Sequence, residues 1–148
     1  MKKYLILICA SAAILLLILG IILWRSAHKD KALCTVTYRA TVGYSLSMTA
    51  DGGKITVTYT DDGRDPIVKD VDGSCYDNLV SILETYDFPS WKKASDPKAA
   101  TADADTLEIG FANGKTYFFS RSQELPEMAR ETFSAIKSCL MEYVGLVK

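Results

Sequence analysis

The sequence predicts an α+β protein: an N-terminal transmembrane helix, then an antiparallel sheet of about five strands with two helices packed on one face. Three observations lead to this fold class. The chain opens with a long uncharged apolar run, several later segments alternate apolar and polar residues with period two, and two segments carry apolar residues at helical spacing. Because each predicted strand is apolar on one side only, the sheet is expected to be antiparallel and covered on one face.

The apolar run has the length of a membrane span. It begins at Tyr4, ends at Trp24 and contains twenty-one residues without a charge. A helix of that length covers roughly the 30 Å hydrocarbon core of a bilayer. A cleaved signal peptide is the alternative, but such signals have a shorter apolar stretch and small residues at both key positions of the cut. Arg25 occupies one of these positions for cleavage after Ala27, so we expect the run to be retained as an anchor.

The span divides the chain into four parts: a cytoplasmic tail (1–3), a transmembrane helix (4–24), a stalk (25–32) and an extracytoplasmic domain (33–148). Lysine and arginine flank the span on both sides, so their number leaves the orientation open. We expect the domain outside, because an N-terminal apolar segment that starts with Lys2-Lys3 normally exports the remainder of its chain. Residues 32–148 hold 12 Lys and Arg against 17 Asp and Glu. This acidic balance argues against nucleic acid and against a flat contact with anionic lipid.

The first half of the domain predicts three strands. Residues 34–48 alternate strictly, with apolar or small residues at even positions, but fifteen residues are long for one strand. Gly43 therefore marks a bulge or bend, or it divides the segment in two. The turn Asp51-Gly52-Gly53 leads into a second alternating segment at residues 55–60, and a further turn leads into a short third strand at residues 67–71.

Two amphipathic helices are predicted further along the domain. Ser74 is the expected N-cap of the first, and Pro89 is expected to end it. Its apolar stripe comprises Tyr76, Leu79, Val80, Leu83 and Tyr86. The last helix opens at Pro126 and stops before Gly145. Its stripe comprises Ala129, Phe133, Ile136, Leu140 and Val144.

Between these helices, Asn113-Gly114 predicts a hairpin that joins strands at residues 107–111 and 116–119. A two-residue loop would place Phe118 on the face of Leu107 and Ile109. A three-residue loop with a bulge would instead place Tyr117 and Phe119 there, and we prefer this register because it gathers more apolar surface on one face.

One stretch of the chain resembles a known group of proteins. In residues 83–126 a helix leads to a tryptophan and a Ser-Asp loop, then to an alternating strand, a turn, a returning strand and a proline-initiated helix. The matching positions are Tyr86, Trp91, Ser95, Asp96, Leu107, Ile109, Phe111, Gly114 and Pro126. This pattern resembles uncharacterised membrane-anchored or lipoprotein domains, located outside the cytoplasm, of Gram-positive gut bacteria. The resemblance implies no activity, because none is assigned to the group.

The distribution of histidine argues against most enzyme classes. The only histidine, His28, lies on the stalk, where we interpret it as an interfacial residue. Without histidine the domain cannot form a Ser/His/Asp or Cys/His nucleophilic site or a His-bearing zinc site within one chain. The sequence also lacks a phosphate-binding loop and a nucleophile elbow. We therefore expect a non-enzyme with no catalytic, cofactor-binding or metal-binding residues and no cofactor.

Two groups of acidic residues and one aromatic residue are the remaining candidates for a site. The first group, which does not fit a calcium loop and is explained by a solvated turn and helix capping, comprises Asp61, Asp62, Asp65, Asp70 and Asp72. The second offers carboxylate pairs without a visible cleft and comprises Asp103, Asp105 and Glu108. Trp91 either packs a helix-to-loop corner into the core or serves as an aromatic anchor for a partner.

Three cysteines lie outside the span: Cys34, Cys75 and Cys139. Either all three are reduced and structural, or two form a disulfide, or one is a reactive thiol, and the sequence does not give the connectivity. Cys75 and Cys139 both border apolar helix faces. If the two helices are neighbours, this is the first pair to test for a disulfide.

Together these features predict a single-pass protein of the cell membrane. Its small domain, held outside the cytoplasm, is expected to bind a protein or a cell-envelope component without catalysis. The alternative is a structural subunit or immunity-type factor of a membrane complex, in which the span itself makes the specific contacts.

Overall fold

The structure is a computed structural model that describes residues 32–147. Within this range it contains six strands and three helices, which confirms the α+β class and gives one strand more than predicted. The strands are β1 (Leu33–Arg39), β2 (Tyr44–Asp51), β3 (Lys54–Asp61), β4 (Ile67–Val71), β5 (Thr106–Phe111) and β6 (Thr116–Ser120). The helices are α1 (Gly73–Thr85), α2 (Phe88–Trp91) and α3 (Glu127–Val144). Two 3₁₀ turns, Lys92–Ala94 and Pro97–Ala99, precede β5.

The predicted span at residues 4–24 lies outside the described residues, as do the tail and most of the stalk. Between residues 32 and 147, no helix combines the length and the apolar content that a bilayer crossing requires. The longest of these helices, α3, is amphipathic: Phe133 and Ile136 are buried, whereas Arg130 and Glu131 are exposed.

The strands form one antiparallel sheet in the order β4-β3-β2-β1-β5-β6. The first four strands follow one another as a meander, and the β5–β6 hairpin is added on the other side of β1. Tyr38 of β1 lies opposite both Leu46 of β2 and Leu107 of β5. The central strand β1 therefore joins two parts of the sheet that are each formed by neighbouring segments of the chain.

The segment predicted as one long strand forms both β1 and β2. The Ala40 N–H donates to the Tyr44 carbonyl (2.9 Å) and the Gly43 N–H donates to the Ala40 carbonyl (3.2 Å), which closes a tight turn. Gly43 has a φ of 91°, a conformation that costs glycine little. The continuous strand is therefore wrong, and the alternative in which Gly43 divides it is confirmed. Because Tyr38 pairs with Leu46, even positions keep the same face on both sides of the turn, and alternation alone does not reveal it.

The two glycine-containing hairpins form where they were predicted. Gly52 and Gly53 both have positive φ and make the two-residue loop between β2 and β3. In the β5–β6 hairpin, Phe119 lies opposite Leu107, and Tyr117 lies opposite Ile109. The preferred register, with both aromatic rings on the face of the apolar β5 residues, is confirmed.

The core lies between one face of the sheet and the helices α1 and α3, which also pack against each other. All five residues of the predicted α3 stripe are buried. In α1 the buried residues are Cys75, Leu79 and Leu83. Cys75 is the one of these that the predicted stripe did not include.

Two predicted helix ends are wrong by a few residues. The N-cap of α1 is Asp72, whose carboxylate accepts from the Ser74 N–H (2.9 Å), and not Ser74 itself. Both residue types cap helices, so a sequence that offers both within one turn leaves the choice open. The helix α1 ends at Thr85, and Pro89 lies in the first turn of α2. Proline is tolerated there because backbone N–H groups in the first turn of a helix make no hydrogen bond within the helix.

Candidate functional site

Trp91 is a core residue. Its side chain is buried, and its indole N–H donates to the Tyr86 carbonyl (2.8 Å). Its ring meets Phe88 and Phe119 edge-on, with centroids 5.0 and 4.8 Å apart. The ring is packed against other aromatic rings, and its N–H has a hydrogen-bond partner. Trp91 therefore fixes the corner after α1 and does not offer a surface to a partner.

Three of the acidic residues between 61 and 72 have separate structural roles. Asp61 lies 3.5 Å from Arg64, Asp70 lies 3.0 Å from Lys54, and Asp72 caps α1. The hydrogen bond from Lys54 lowers the pKa of Asp70. In the part of the chain that the structure describes, no group of His, Cys, Asp and Glu side chains is arranged to hold a metal ion.

Asp105 is the acidic residue with the most partners among these candidates. It accepts from the Tyr38 hydroxyl (2.5 Å) and from the N–H and hydroxyl of Thr41 (3.0 and 2.8 Å). Burial alone would raise the pKa of Asp105, but these hydrogen bonds lower it below its usual value. Burial and the same carboxylate raise the pKa of Tyr38. Asp105 thus ties the β1–β2 turn to the segment that enters β5.

The carboxylate pairs considered from the sequence do not form around Asp105. Asp103 is exposed, and Glu108 lies on the face of the sheet opposite to its neighbour Leu107, which is buried in the core. Asp105 lies on the core side, at the hydroxyl of Tyr38. Glu108 and Asp105 therefore lie on opposite sides of the sheet, and the hydrogen-bond partners of Asp105 are Tyr38 and Thr41.

A row of tyrosines extends from the Asp105 network. The Tyr38 and Tyr44 rings lie 6.3 Å apart, and the Tyr44 and Tyr59 rings lie 5.8 Å apart. The Lys137 ammonium on α3 lies 5.9 Å from the first ring and 5.7 Å from the second, within reach of a cation–π interaction. Strand alternation predicts the shared face of the rings, but no local signal predicts their contact with Lys137.

The face of the sheet that lacks helices is rich in hydroxyl groups. On the three strands β1, β2 and β3 it carries Thr35, Thr37, Ser45, Ser47, Thr49, Thr56, Thr58 and Thr60. These side chains provide donors and acceptors without fixed charge. The same face also carries the charged residues Arg39, Asp51 and Lys54 near the strand ends. This hydroxyl face therefore suits a polar contact, and it gives little of the aromatic content that concentrates binding energy in protein interfaces.

The outer edge of β6 is covered by the chain itself. The Phe118 N–H donates to the Ser95 hydroxyl (2.8 Å), and the Phe118 carbonyl accepts from the Asp96 N–H (2.9 Å). Two residues further on, the Ser120 N–H donates to the Gln123 side chain (2.7 Å). The loop before β5, which gave no periodic signal in the sequence, therefore satisfies the backbone groups of this edge.

The outer edge of β4 has a different environment. The two-residue loop makes Asp51 and Lys54 a hydrogen-bonded pair, so Lys54 and every second residue after it in β3 bond to β2. The β3 residues between them bond to Ile67, Lys69 and Val71 of β4. The backbone groups of Val68 and Asp70 are therefore directed outward. Within residues 32–147, no turn or loop backbone group hydrogen-bonds to this side of β4. The sheet thus has one covered edge and one open edge.

Two exposed apolar side chains lie on the edge strand β4, and two more follow the end of α3. Within the described range, six large apolar side chains are exposed, and four of them are Ile67 (36%), Val68 (59%), Leu146 (44%) and Val147 (52%). The first two belong to β4. The last two follow Gly145, where an added Cβ would lie 2.8 Å from the Lys69 ammonium of β4. We call Val68, Ile67 and the outward backbone groups of β4 the β4 margin.

The β4 margin was not predicted from the sequence, although one signal was present. Ile67 and Val68 are adjacent apolar residues in a strand, so their side chains point to opposite faces and only one of them can face the core.

Comparison with known proteins finds no matching family model, no similar curated protein and no similar solved structure. The resemblance to membrane-anchored domains therefore stays a prediction.

Proposed function

We propose that this chain is a single-pass membrane protein whose non-enzymatic domain lies outside the cytoplasm and binds a protein partner at the β4 margin. The partner contributes an extended segment that adds a strand to the sheet beside β4. The observation that supports this proposal is the difference between the two sheet edges. A loop of the chain covers β6, whereas among residues 32–147 no backbone group pairs with the outward side of β4, which also carries exposed apolar side chains.

The chemistry of the margin favours a protein strand over other ligands. Outward N–H and C=O groups on one strand match those of another extended backbone, and they give affinity while side-chain contacts give specificity. Val68, 59% exposed, offers an apolar contact on the hydroxyl face beside this ladder. A polysaccharide of the envelope would instead use the hydroxyl face, and this is the second outcome that the experiment distinguishes.

The anchoring part of the proposal is supported by the apolar run. Its twenty-one uncharged residues match the thickness of a bilayer, and the eight residues of the stalk leave the domain a short tether. Deletion of residues 4–24 is expected to release the domain from the membrane fraction. An unchanged distribution after this deletion would refute the anchor.

The binding part is tested by photocrosslinking of the full chain in native membranes, followed by mass spectrometry of the captured material. Val68→Lys places a charge on the β4 margin, and a lysine on an edge strand opposes strand addition. Val42→Lys is the matched control, because Val42 is also an exposed valine but lies in the β1–β2 turn. We expect V68K to reduce capture of one protein at least tenfold and V42K to preserve it.

The other outcomes contradict the proposal in distinct ways. If V68K and V42K capture the same amount of the partner protein, the β4 margin is not the binding surface. Capture of a protease-resistant glycan, lost when Thr37 and Thr58 are replaced by Ala, identifies the hydroxyl face and an envelope component. A third variant replaces residues 4–24 with an unrelated span. If this exchange abolishes capture of the partner while V68K preserves it, the chain is a structural or immunity-type subunit that acts through its span.

A further inference from the structure

The helices α1 and α3 meet at a defined point near the start of one and the end of the other. The Tyr143 hydroxyl of α3 lies 2.8 Å from the Ser74 hydroxyl and accepts from the Asn78 amide at 3.0 Å. Cys75 lies between these two α1 residues in sequence, and Cys139 lies one helical turn before Tyr143. The two hydrogen bonds therefore hold together the helix surfaces that carry the two cysteines.

The two cysteines lie at the same helix–helix contact but differ in access to solvent. Cys75 is fully buried in the core. Cys139 is only partly buried. Both cysteines are free thiols, and so is Cys34 of β1.

We infer that Cys75 and Cys139 form a redox-active dithiol that a disulfide-bearing oxidant converts into a disulfide between α1 and α3, with Cys139 attacking the oxidant and Cys75 resolving the mixed disulfide. The inference goes beyond the proposed binding function and does not depend on it. It rests on the positions of the two cysteines at the contact between α1 and α3 and on their unequal exposure.

The reaction balances in two exchange steps. The Cys139 thiolate attacks one sulfur of the oxidant's disulfide, forms a mixed disulfide and releases the first thiol. Cys75 then loses its proton and attacks the Cys139 sulfur, which forms the internal disulfide and releases the second thiol. The protein loses two protons and two electrons, and the oxidant gains them as two thiols.

The order of the two steps follows from the access of each thiol to solvent and is supported by the directions of their pKa shifts. A bulky oxidant reaches the partly exposed Cys139 but not the buried Cys75. The neighbouring Cys75 side chain lowers the pKa of Cys139, while the neighbouring Cys139 side chain, together with burial, raises the pKa of Cys75. Since the thiolate is the nucleophile, Cys139 is the more reactive of the two.

The test uses the full chain in detergent micelles with oxidised glutathione. Non-reducing peptide mapping of the wild-type chain is expected to find Cys75 linked to Cys139 and Cys34 free. In a C9S/C34S background, Cys75→Ser should accumulate glutathione on Cys139, whereas Cys139→Ser should leave Cys75 unmodified. Formation of the disulfide should raise Tm by about 10 °C, reversed by dithiothreitol, because the bond closes a long loop in the unfolded chain.

Three results would overturn the inference. The first is that both thiols remain free in the wild-type chain after prolonged oxidation, a measurement that does not depend on whether any variant folds. The second is a disulfide that uses Cys34 instead. The third is faster glutathionylation of Cys75 in C139S than of Cys139 in C75S, which would reverse the assigned order.

Discussion

Gly110 gives the sharpest test of the sheet register. It lies opposite Thr35 in the β1–β5 ladder and is buried on the hydroxyl face. A Cβ at this position would lie 3.7 Å from the Thr35 Cβ and 3.8 Å from the Thr116 hydroxyl, but closer to the Thr35 hydroxyl oxygen than two atoms can approach. Gly110→Ala therefore forces Thr35 or the ladder itself to move.

The expected magnitude follows from two opposing effects. Overpacking of a close contact costs about 1–3 kcal/mol. Replacement of glycine by alanine within a strand regains roughly 0.5–1 kcal/mol of backbone entropy. The net loss is about 1–2 kcal/mol. With an unfolding entropy of roughly 2.1 cal/mol/K for each of about 116 residues, Tm should fall by about 4–8 °C.

Thermal unfolding of the full chain in micelles, followed by circular dichroism, measures this loss. Thr35→Ala removes the clashing oxygen and leaves the Thr35 Cβ position at an ordinary contact distance. The double variant G110A/T35A should therefore lose less free energy of unfolding than the sum of the losses of G110A and T35A. Gly73→Ala is the matched control, because an added Cβ there meets open space in α1. A G110A protein as stable as the wild type, or one that T35A does not rescue, would refute the β1–β5 register.

Three further substitutions test the helix cap, the tryptophan corner and the Asp105 network, each by unfolding of the full chain. Asp72→Ala removes the α1 cap and should cost about 1 kcal/mol, while Ser74→Ala should cost less; the reverse order would restore Ser74 as the cap. Trp91→Ala should cost about 3–5 kcal/mol, and a loss below about 1 kcal/mol would mean that the residue is not packed. Because folding lowers the pKa of Asp105, its stabilisation is present above the unfolded value near 4 and is lost as pH falls through the folded value. The stability gap between wild type and Asp105→Asn should therefore narrow between about pH 5 and pH 2, and a constant gap would show that the carboxylate charge is not involved.

The sequence predicts the local elements of this fold better than their junctions. The β5–β6 register was predictable because Tyr117 and Phe119 bury more apolar surface on one face than Phe118 alone. The turn before β2 was ambiguous because alternation keeps its phase through it, and Gly43 was the single sign of a break. The helix cap was ambiguous because Asp72 and Ser74 are both good caps two residues apart.

The features that matter most for the candidate site connect residues distant in sequence. Asp105 and Tyr38 are separated by 67 positions, and no periodic pattern links them. The covered edge of β6 depends on Ser95, which lies in a loop without any repeating signal. The neighbouring positions of Cys75 and Cys139 were foreseen only on the condition that the two helices are neighbours, and the packing of α1 against α3 fulfils that condition.

The central position of β1 has a consequence for the kinetics of folding. The meander and the β5–β6 hairpin are each built from local contacts, but Tyr38 meets Leu107 only after a loop of sixty-nine residues has closed. That closure lowers the entropy of the chain before the β1–β5 contacts form and stabilise the sheet. We therefore expect loop closure to dominate the free energy of the folding transition state. Variants in the β1–β5 ladder should then slow refolding, whereas variants in β4 should mainly accelerate unfolding. One ladder in the middle of the sheet thus sets how fast the domain becomes a single cooperative unit.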